Sequence, residues 1–455
     1  MIFLMTTAPP ENSPWSTPIK LPPLGLSFVA ASLEKAGFKV EMLDNYLLRK
    51  SNSELKKLVK KLNPAIVGIT CSSASYPVCI ESAKSIKEVL PHCKVVVGGW
   101  HPSYVPESML KHPEIDYVVM GEGERTMVEL ANCITKNLGT KAIDNIPGLA
   151  FRKQQKIVKN AQKFISNLDE IPFLARHLLP IHLYEREIPF LNVKPVDTMN
   201  VVRGCPFKCA FCETRRLWGP GCRAFGSRRV VDEIEYMAEN FGTQGVYFLG
   251  DNFTINKKRT IELCDQIKKS KTDLEWVCDT RADMISRDLL RNMKNAGCKT
   301  IWFGVESGSP RILKKINKGI TIEQNIQAFK LCKKEGIQTA CSFMIGIPGE
   351  TLNDINKSYK FAKKLNPDWC QFNIYIAYPG SSLYDEVIDK GLYDRQQGFL
   401  TFVKTNEFDF DLLKQIQMRY QAKLNLSFRN ILKKMKREGI WTVLKKGPKY
   451  FYRSI

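Results

Sequence analysis

Short apolar runs alternate with helix-length amphipathic stretches along most of this chain, and that alternation admits few architectures. A strand buried on both faces reads as a continuous apolar run, and parallel strands need a crossover helix between them. Ile2-Phe3-Leu4-Met5, Val40-Glu41-Met42-Leu43, Ala65-Ile66-Val67-Gly68-Ile69, Val95-Val96-Val97 and Tyr117-Val118-Val119-Met120 are such runs. Helical patterns lie between them, over 24–33 before Gly37 and roughly over 77–90. Residues 1–135 are therefore expected to form an α/β domain with a doubly wound parallel sheet, whose ligands sit beyond the carboxyl ends of the strands. Gly98-Gly99 and Gly121-Glu122-Gly123-Glu124 stand at two such ends, where glycine lets backbone approach a ligand closely.

Residues 136–197 keep apolar positions throughout and read as an ordered connector. Gly148–Arg152 and Lys156–Val158 bracket a turn and predict a hairpin, while His177 and His182 read as structural. From Thr198 the alternation resumes. Strands are expected at Thr198–Val202, Gly245–Leu249, Glu275–Cys278, Thr300–Val305, Thr339–Ile345 and Gln371–Ile376, with helices such as Val231–Asn240 and Gln324–Glu335. Asp232 and Glu233 read as first-turn acids matching the helix dipole. Six β–α units over 198–393 predict an open, partial TIM-type barrel, which places function at the C-terminal strand ends. At 455 residues two or three domains are expected, and no run of 18 apolar residues points to a membrane-spanning helix.

Three cysteines fall in one loop after the first of these later strands, Cys205-Pro-Phe-Lys-Cys209-Ala-Phe-Cys212. Thiolates at that spacing can hold three corners of an iron–sulfur cube and leave one iron open. A closed zinc site wants four ligands, usually as paired Cys or Cys/His groups, and no such pairing is present. A disulfide framework does not suit the rest of the chain. Met1-Ile2-Phe3-Leu4-Met5 carries no early positive charge, and Cys264, Cys298, Cys332 and Cys341 sit in apolar or helical patterns. The chain is expected to be cytoplasmic with reduced thiols.

Arg203-Gly204-Cys205-Pro206-Phe207-Lys208-Cys209-Ala210-Phe211-Cys212 closely resembles the CxxxCxxC signature of radical S-adenosylmethionine (radical SAM) enzymes, Phe211 matching the aromatic usual before the last cysteine. The resemblance implies a 4Fe-4S cluster ligated by Cys205, Cys209 and Cys212, with SAM chelated at the open iron. One electron, from a donor of flavodoxin or ferredoxin type, then cleaves SAM to a 5′-deoxyadenosyl radical. Motifs at the later strand ends resemble family positions in order. Gly250 and Asp251 occupy the place of a short Gly/acid motif that contacts the SAM ammonium group. Arg281 reads either as a partner of the SAM carboxylate or as a structural salt bridge. Glu306 matches a position that bonds the ribose or ammonium group, and Gly346 lies where backbone approaches adenine. Cys222 and Cys278 read as packing residues.

The first domain resembles the cobalamin-binding domain fused to many radical SAM enzymes, through Pro22-Pro23-Leu24-Gly25-Leu26, Val97–Pro102 and Met120–Glu124. The resemblance implies cobalamin contacts from Thr70, Ser72, Gly98, Gly99, Gly121 and Glu122, with Cys71 and Ser73 beside them. A DxHxxG loop with a cobalt-ligating His is absent after the first strand, so the corrin binds without that His or the domain has lost it. His101 reads as a turn residue before Pro102, with a ligand role as the alternative.

The net charge of +22 is uneven: Leu412–Ile455 carries twelve Lys/Arg and one acid, half of the excess. Residues 394–455 are expected to be a basic helical region. Leu424, Phe428, Ile431 and Met435 make an apolar helical stripe among basic residues, with aromatics at Tyr450, Phe451 and Tyr452. That reads as an anionic-membrane anchor, or as a helix packed on the barrel. No tidy RNA-binding module is present, so nucleic acid is not the expected partner. The reading that results is a cobalamin-dependent radical SAM enzyme methylating an unactivated carbon, with a lipid or isoprenoid the favoured small-molecule substrate. The alternatives are ring formation or C–C coupling, tRNA modification, and a cobalamin-binding regulator with an inactive barrel.

Overall fold

A computed structural model describes residues 1–9, 21–188, 190–397 and 399–438, and the chain divides into two compact units. The first comprises Met1–Glu185 and Glu213–Phe225, the second Arg186–Cys212 and Gly226 onward.

The first unit holds β1 (Ile2–Thr6), β2 (Val40–Leu43), β3 (Ile66–Thr70), β4 (Lys94–Gly98), β5 (Tyr117–Val119), β6 (Leu149–Lys153) and β7 (Lys156–Lys159). They form one sheet in the order β2-β1-β3-β4-β5-β6-β7. β1 to β5 are parallel, and β6 and β7 are antiparallel. Period-two alternation divides each central strand between two cores. Ile2 and Leu4 pack with Leu26, Ala30 and Met127, while Phe3 and Met5 pack with Leu55, Val59 and Ala83 on the other face. The doubly wound sheet is thus built as the apolar runs require. The expected connector hairpin does not stand apart: Leu149, Ala150 and Phe151 pair with β5 and extend the sheet. Strand order reverses at β1, which makes the C-terminal ends of β1 and β3 the topological switch point.

The second unit holds β8 (Val196–Arg203), β9 (Gly245–Gly250), β10 (Glu275–Thr280), β11 (Cys298–Glu306), β12 (Gln338–Ile345) and β13 (Trp369–Ile374). All pair in parallel in sequential order. Their outer face is mostly apolar: Phe248, Trp276, Cys278, Ile301, Phe303, Cys341, Phe343 and Phe372 are buried, with Thr280 and Thr339 among them. Their inner face differs, since Asn200, Tyr247, Asp279, Trp302, Ser342 and Gln371 are partly exposed and Asn373 is exposed. A partial barrel with an open, polar inner wall has this signature. Phe190 packs edge-on against Trp302 and Trp369 and, with Ile188 and Leu191, lines one end of that wall with apolar groups.

Two expectations for helices need correction. The Ser227–Phe241 helix starts four residues before Val231, so Asp232 and Glu233 lie beyond its first turn and pair with Arg228 and Arg229 instead. The region after 393 is not wholly helical either. Tyr393–Gln397 and Leu400–Val403 form an antiparallel pair joined by Ile376–Ala377. Two helices follow, Phe410–Asn425 and Phe428–Glu438. The stripe from Leu424 to Met435 is therefore broken. Ser427 Oγ accepts the Asn430 N–H, and the Asn430 amide donates to Leu424 C=O, so a second helix starts where the first ends. Leu424 is buried while Phe428 is 78% exposed. Lys445 to Arg453, with the terminal aromatics, lie outside the described residues.

The Phe410–Asn425 helix instead seals the barrel's edge. Exposed strand edges carry unpaired backbone groups that must find partners. Here three side-chain amides spaced by four residues supply them. Gln417 donates to Phe372 C=O, and Gln421 accepts the Phe372 N–H at 2.8 Å. Asn425 accepts the Cys370 N–H at 2.9 Å and donates to Cys370 C=O at 2.7 Å. Among the described residues no helix is long and apolar enough to cross a membrane.

Candidate functional site

The cysteine loop leaves the C-terminal end of β8 through Gly204 at φ 87°. Asp251, at the end of β9, accepts the Gly204 N–H at 2.7 Å and so props the start of the loop. Cys205 and Cys209 are half-buried and Cys212 is exposed. Burial pushes the Cys205 thiol up to about 11, with Cys212, Asp251 and Cys209 adding to the rise through their charge. Burial also raises Cys209, but Lys318 and Arg281 oppose it. Cys205 and Cys209 thus lie within reach of the neighbouring thiols, and two cations face Cys209. Among the described residues no three Cys, His, Asp or Glu side chains converge on a single metal ion. A cube does not require that, because each thiolate takes a different iron. The donor set and its cationic surroundings suit an anionic cluster.

The predicted SAM residues occupy the neighbouring strand ends, with more structural duties than expected. Arg281 follows β10, stacks 3.5 Å over the Phe207 ring and forks onto Asp283 at 3.0 Å. Its other terminus lies 4.0 Å from Cys209 Sγ. Glu306 ends β11 at φ 64°, an unusual conformation for a residue with a side chain. Its Oε1 accepts Lys318 Nζ at 2.9 Å. A Cβ at Gly304 would lie 2.5 Å from that oxygen, so the ion pair needs a glycine beneath it. Gly250 carries no such constraint, its built Cβ reaching only ordinary contact distance. Gly346 follows β12 at φ 85° with its N–H donated to Glu350 Oε2. Glu350 also accepts the Ile347 N–H, while its Oε1 is buried without a partner among the described residues, and burial lifts this carboxyl to about 8. Cys278 is buried on the outer face, as a packing residue would be.

Sequence reading did not find Lys318, Glu350 or the Tyr247–Asp279 pair. Tyr247 donates to Asp279 Oδ1 at 2.7 Å on the open inner wall. Burial raises the Asp279 carboxyl to about 7 against the lowering effect of that bond, although the side chain still touches open space. The available signal was Asp279 itself, an acid in phase with Glu275 at an inward position of Glu275-Trp276-Val277-Cys278-Asp279.

The first unit places Thr70 and Ser72 in a cavity of about 190 Å³ at the switch point, with Thr6, Thr7, Asp44 and Trp100. Ser72 and Ser75 exchange hydrogen bonds, and Thr7 Oγ1 reaches both Ser75 and Thr70 C=O. Gly99 adopts φ 102°, and a Cβ there would sit 2.8 Å from Cys71 O. Gly121 adopts φ 71° and donates its N–H to Ser103. Glu122 is buried, its oxygens pair with Arg223 at 2.9 Å, and one accepts the Ile165 N–H. His101 lies not in a turn, as expected, but in the short Trp100–Tyr104 helix, because the chain winds directly from Gly99 into helix through Pro102. Both ring nitrogens are bonded, to Ser73 and Ser108, and burial lowers its pKa to about 4. Polar walls at a switch point suit a polar cofactor group, and a space of this size suits a part of a corrinoid rather than the whole.

Residues 199–362 match the model of the radical SAM superfamily, and residues 16–131 match that of the B12 binding domain. An uncharacterised methyltransferase of Pyrococcus horikoshii is 37% identical over 374 residues, 82% of this chain and 79% of that protein. The chain belongs to the radical SAM superfamily, among members carrying a B12 binding domain. Another relative of this radical SAM protein is the anaerobic magnesium-protoporphyrin IX monomethyl ester cyclase of Rubrivivax gelatinosus, 32% identical over 81% of the chain and 67% of the cyclase. The fold is that of the radical SAM methyltransferase TsrM of Kitasatospora setae, solved with cobalamin and a [4Fe-4S] cluster. The TM-score is 0.70 at 19% identity, covering 88% of this chain and 76% of TsrM.

Proposed function

We propose that this protein is a cobalamin-dependent radical SAM methyltransferase acting on an unactivated carbon. The observation that carries the reading is the loop of three thiols at the end of the first barrel strand, beside two buried cations. Cys205, Cys209 and Cys212 would hold three irons of a 4Fe-4S cluster, and the switch-point cavity of the first unit would hold part of cobalamin. When bound, these groups and SAM supply a 5′-deoxyadenosyl radical and a transferable methyl group, with an external flavodoxin- or ferredoxin-type reductant. The chain's own part is positioning. Asp251 fixes the loop's entry, Glu350 braces the turn at Gly346, and the Glu306–Lys318 pair closes the rim between them.

The substrate we infer is a small molecule bearing polar groups rather than an isoprenoid hydrocarbon. Asn200, Asp279, Ser342, Gln371 and Asn373 on the open inner wall favour hydrogen-bonding partners, and burying unpaired polar groups against hydrocarbon is costly. Anaerobic reconstitution with iron, sulfide, cobalamin and dithionite tests the reading. The wild type is expected to release 5′-deoxyadenosine from SAM, and Cys205→Ala to release none. An iron-loaded wild type that forms no 5′-deoxyadenosine would sink the proposal. Methyl-labelled SAM then separates methyl transfer from cyclisation, the reaction named for the Rubrivivax relative, by whether a product gains the label.

A further inference from the structure

A four-residue segment far from the cysteines in sequence grips their loop. Ile316-Asn317-Lys318-Gly319 follows the Pro310–Lys315 helix. Ala210 N–H donates to Ile316 C=O at 2.8 Å, and Asn317 Nδ2 donates to Lys208 C=O at 2.8 Å. Lys318 C=O accepts the Arg281 guanidinium at 2.9 Å, whose other nitrogen stands beside Cys209. Lys318 Nζ lies 5.8 Å from the centre of the Phe211 ring. Loop residues 207–211 are therefore held or flanked at every position by this segment and by Arg281.

The arrangement is costly to build. Lys318 is 7% exposed and Arg281 5% exposed, and cations are rarely buried without strong compensation. Their carboxylate partners, Glu306 and Asp283, supply it. Asn317, Gly319 and Glu306 all take positive φ, at 49°, 67° and 64°. Backbone in that region is held by its surroundings and marks positions where geometry serves a purpose. Plain stability would not need two buried cations beside a half-buried thiol.

We propose that Lys318 and Arg281 form a cationic clamp that raises the reduction potential of the iron–sulfur cluster, with Ile316–Gly319 as the segment that positions it. The inference rests on the cluster proposed above. Reduction adds an electron to a group already bearing three thiolates. Buried cations at short range stabilise the reduced form more than the oxidised one, and surroundings of this kind set cluster potentials.

The test is a redox titration of the reconstituted full-length protein, followed by electron paramagnetic resonance without SAM or substrate. Iron and sulfide content are measured on every sample. Lys318→Met and Arg281→Met are each expected to shift the midpoint to lower potential, and Lys318→Arg to restore it toward wild type. A Lys318→Met midpoint equal to wild type at equal iron content overturns the clamp while leaving the functional proposal intact. Should Lys318→Met take up no iron, Lys318→Gln, which keeps a donor for Glu306, is read by the same criterion. A wild type that binds no cluster overturns both proposals.

Discussion

Replacing Asn425 with Leu tests whether the Phe410–Asn425 helix completes the barrel by hydrogen bonding rather than by shape. Leu has the same branched heavy-atom skeleton as Asn, though bulkier, and neither donor nor acceptor. Asn425 is 1% exposed and satisfies both the N–H and the C=O of Cys370 on the edge strand. The substitution leaves two buried peptide groups unpaired. Each unmade buried hydrogen bond costs about 1–3 kcal/mol, which gives roughly 2–6 kcal/mol in total. Gln421 supplies one bond, to the Phe372 N–H, so Gln421→Leu should cost about half as much. Urea denaturation gives the stability change, and amide hydrogen exchange locates it. At the lower bound the Cys370 amide should exchange roughly thirtyfold faster, since each 1.36 kcal/mol is a factor of ten. A change below about 0.5 kcal/mol, the usual range for surface substitutions, with Cys370 protection unaltered, would refute the edge-sealing account. The consequence reaches the site. β13 carries Gln371 and Asn373 on the inner wall, and Leu413 of the same helix is the side chain that a Cβ at Gly346 would strike, at 2.5 Å.

Three further outcomes are expected. His101 has a folded pKa of about 4 against about 6.5 when unfolded, so the unfolded chain binds the extra proton first. Its contribution, roughly 3 kcal/mol, should be intact above pH 6.5 and lost as pH falls toward 4, and His101→Gln should flatten that part of the stability–pH curve. Gly99→Ala forces a Cβ to 2.8 Å from Cys71 O at φ 102°, and should destabilise the first unit by about 2–3 kcal/mol and weaken cobalamin uptake measured by absorbance. Gly98→Ala meets only ordinary contacts near 3.5 Å and serves as its control. Arg223→Met removes the cation from the buried Glu122 carboxylate and should cost about 3–5 kcal/mol in thermal or urea unfolding, whereas Arg223→Met with Glu122→Met should recover most of it.

Much of the fold was legible because parallel strands buried on both faces advertise themselves as apolar runs. Every expected strand of both sheets exists, with ends moved by at most two residues, for example Trp369–Ile374 against an expected Gln371–Ile376. The antiparallel pair at 393–403 escaped because Tyr393-Asp394-Arg395-Gln396-Gln397 is polar and carries no apolar alternation. The Phe410–Asn425 helix was read through its charge, although its role lies in Gln417, Gln421 and Asn425, amides that look like ordinary surface residues in sequence. Within the site the three cysteines stood out through spacing alone. Lys318 did not, because nothing in Ile316-Asn317-Lys318-Gly319 says which loop it will meet.

The sequence by itself determined the two parallel sheets, the loop of three thiols and the glycine-rich strand ends, because each depends on local chemistry: burial period, ligand spacing and backbone freedom. Only the tertiary structure decided which charges are occupied. Glu122 is paired by Arg223, Arg281 by Asp283 and Glu306 by Lys318, partners that in two of the three cases lie ten or more residues away. Ion pairing in a low-dielectric interior depends on distance in space, and sequence order carries little of that information.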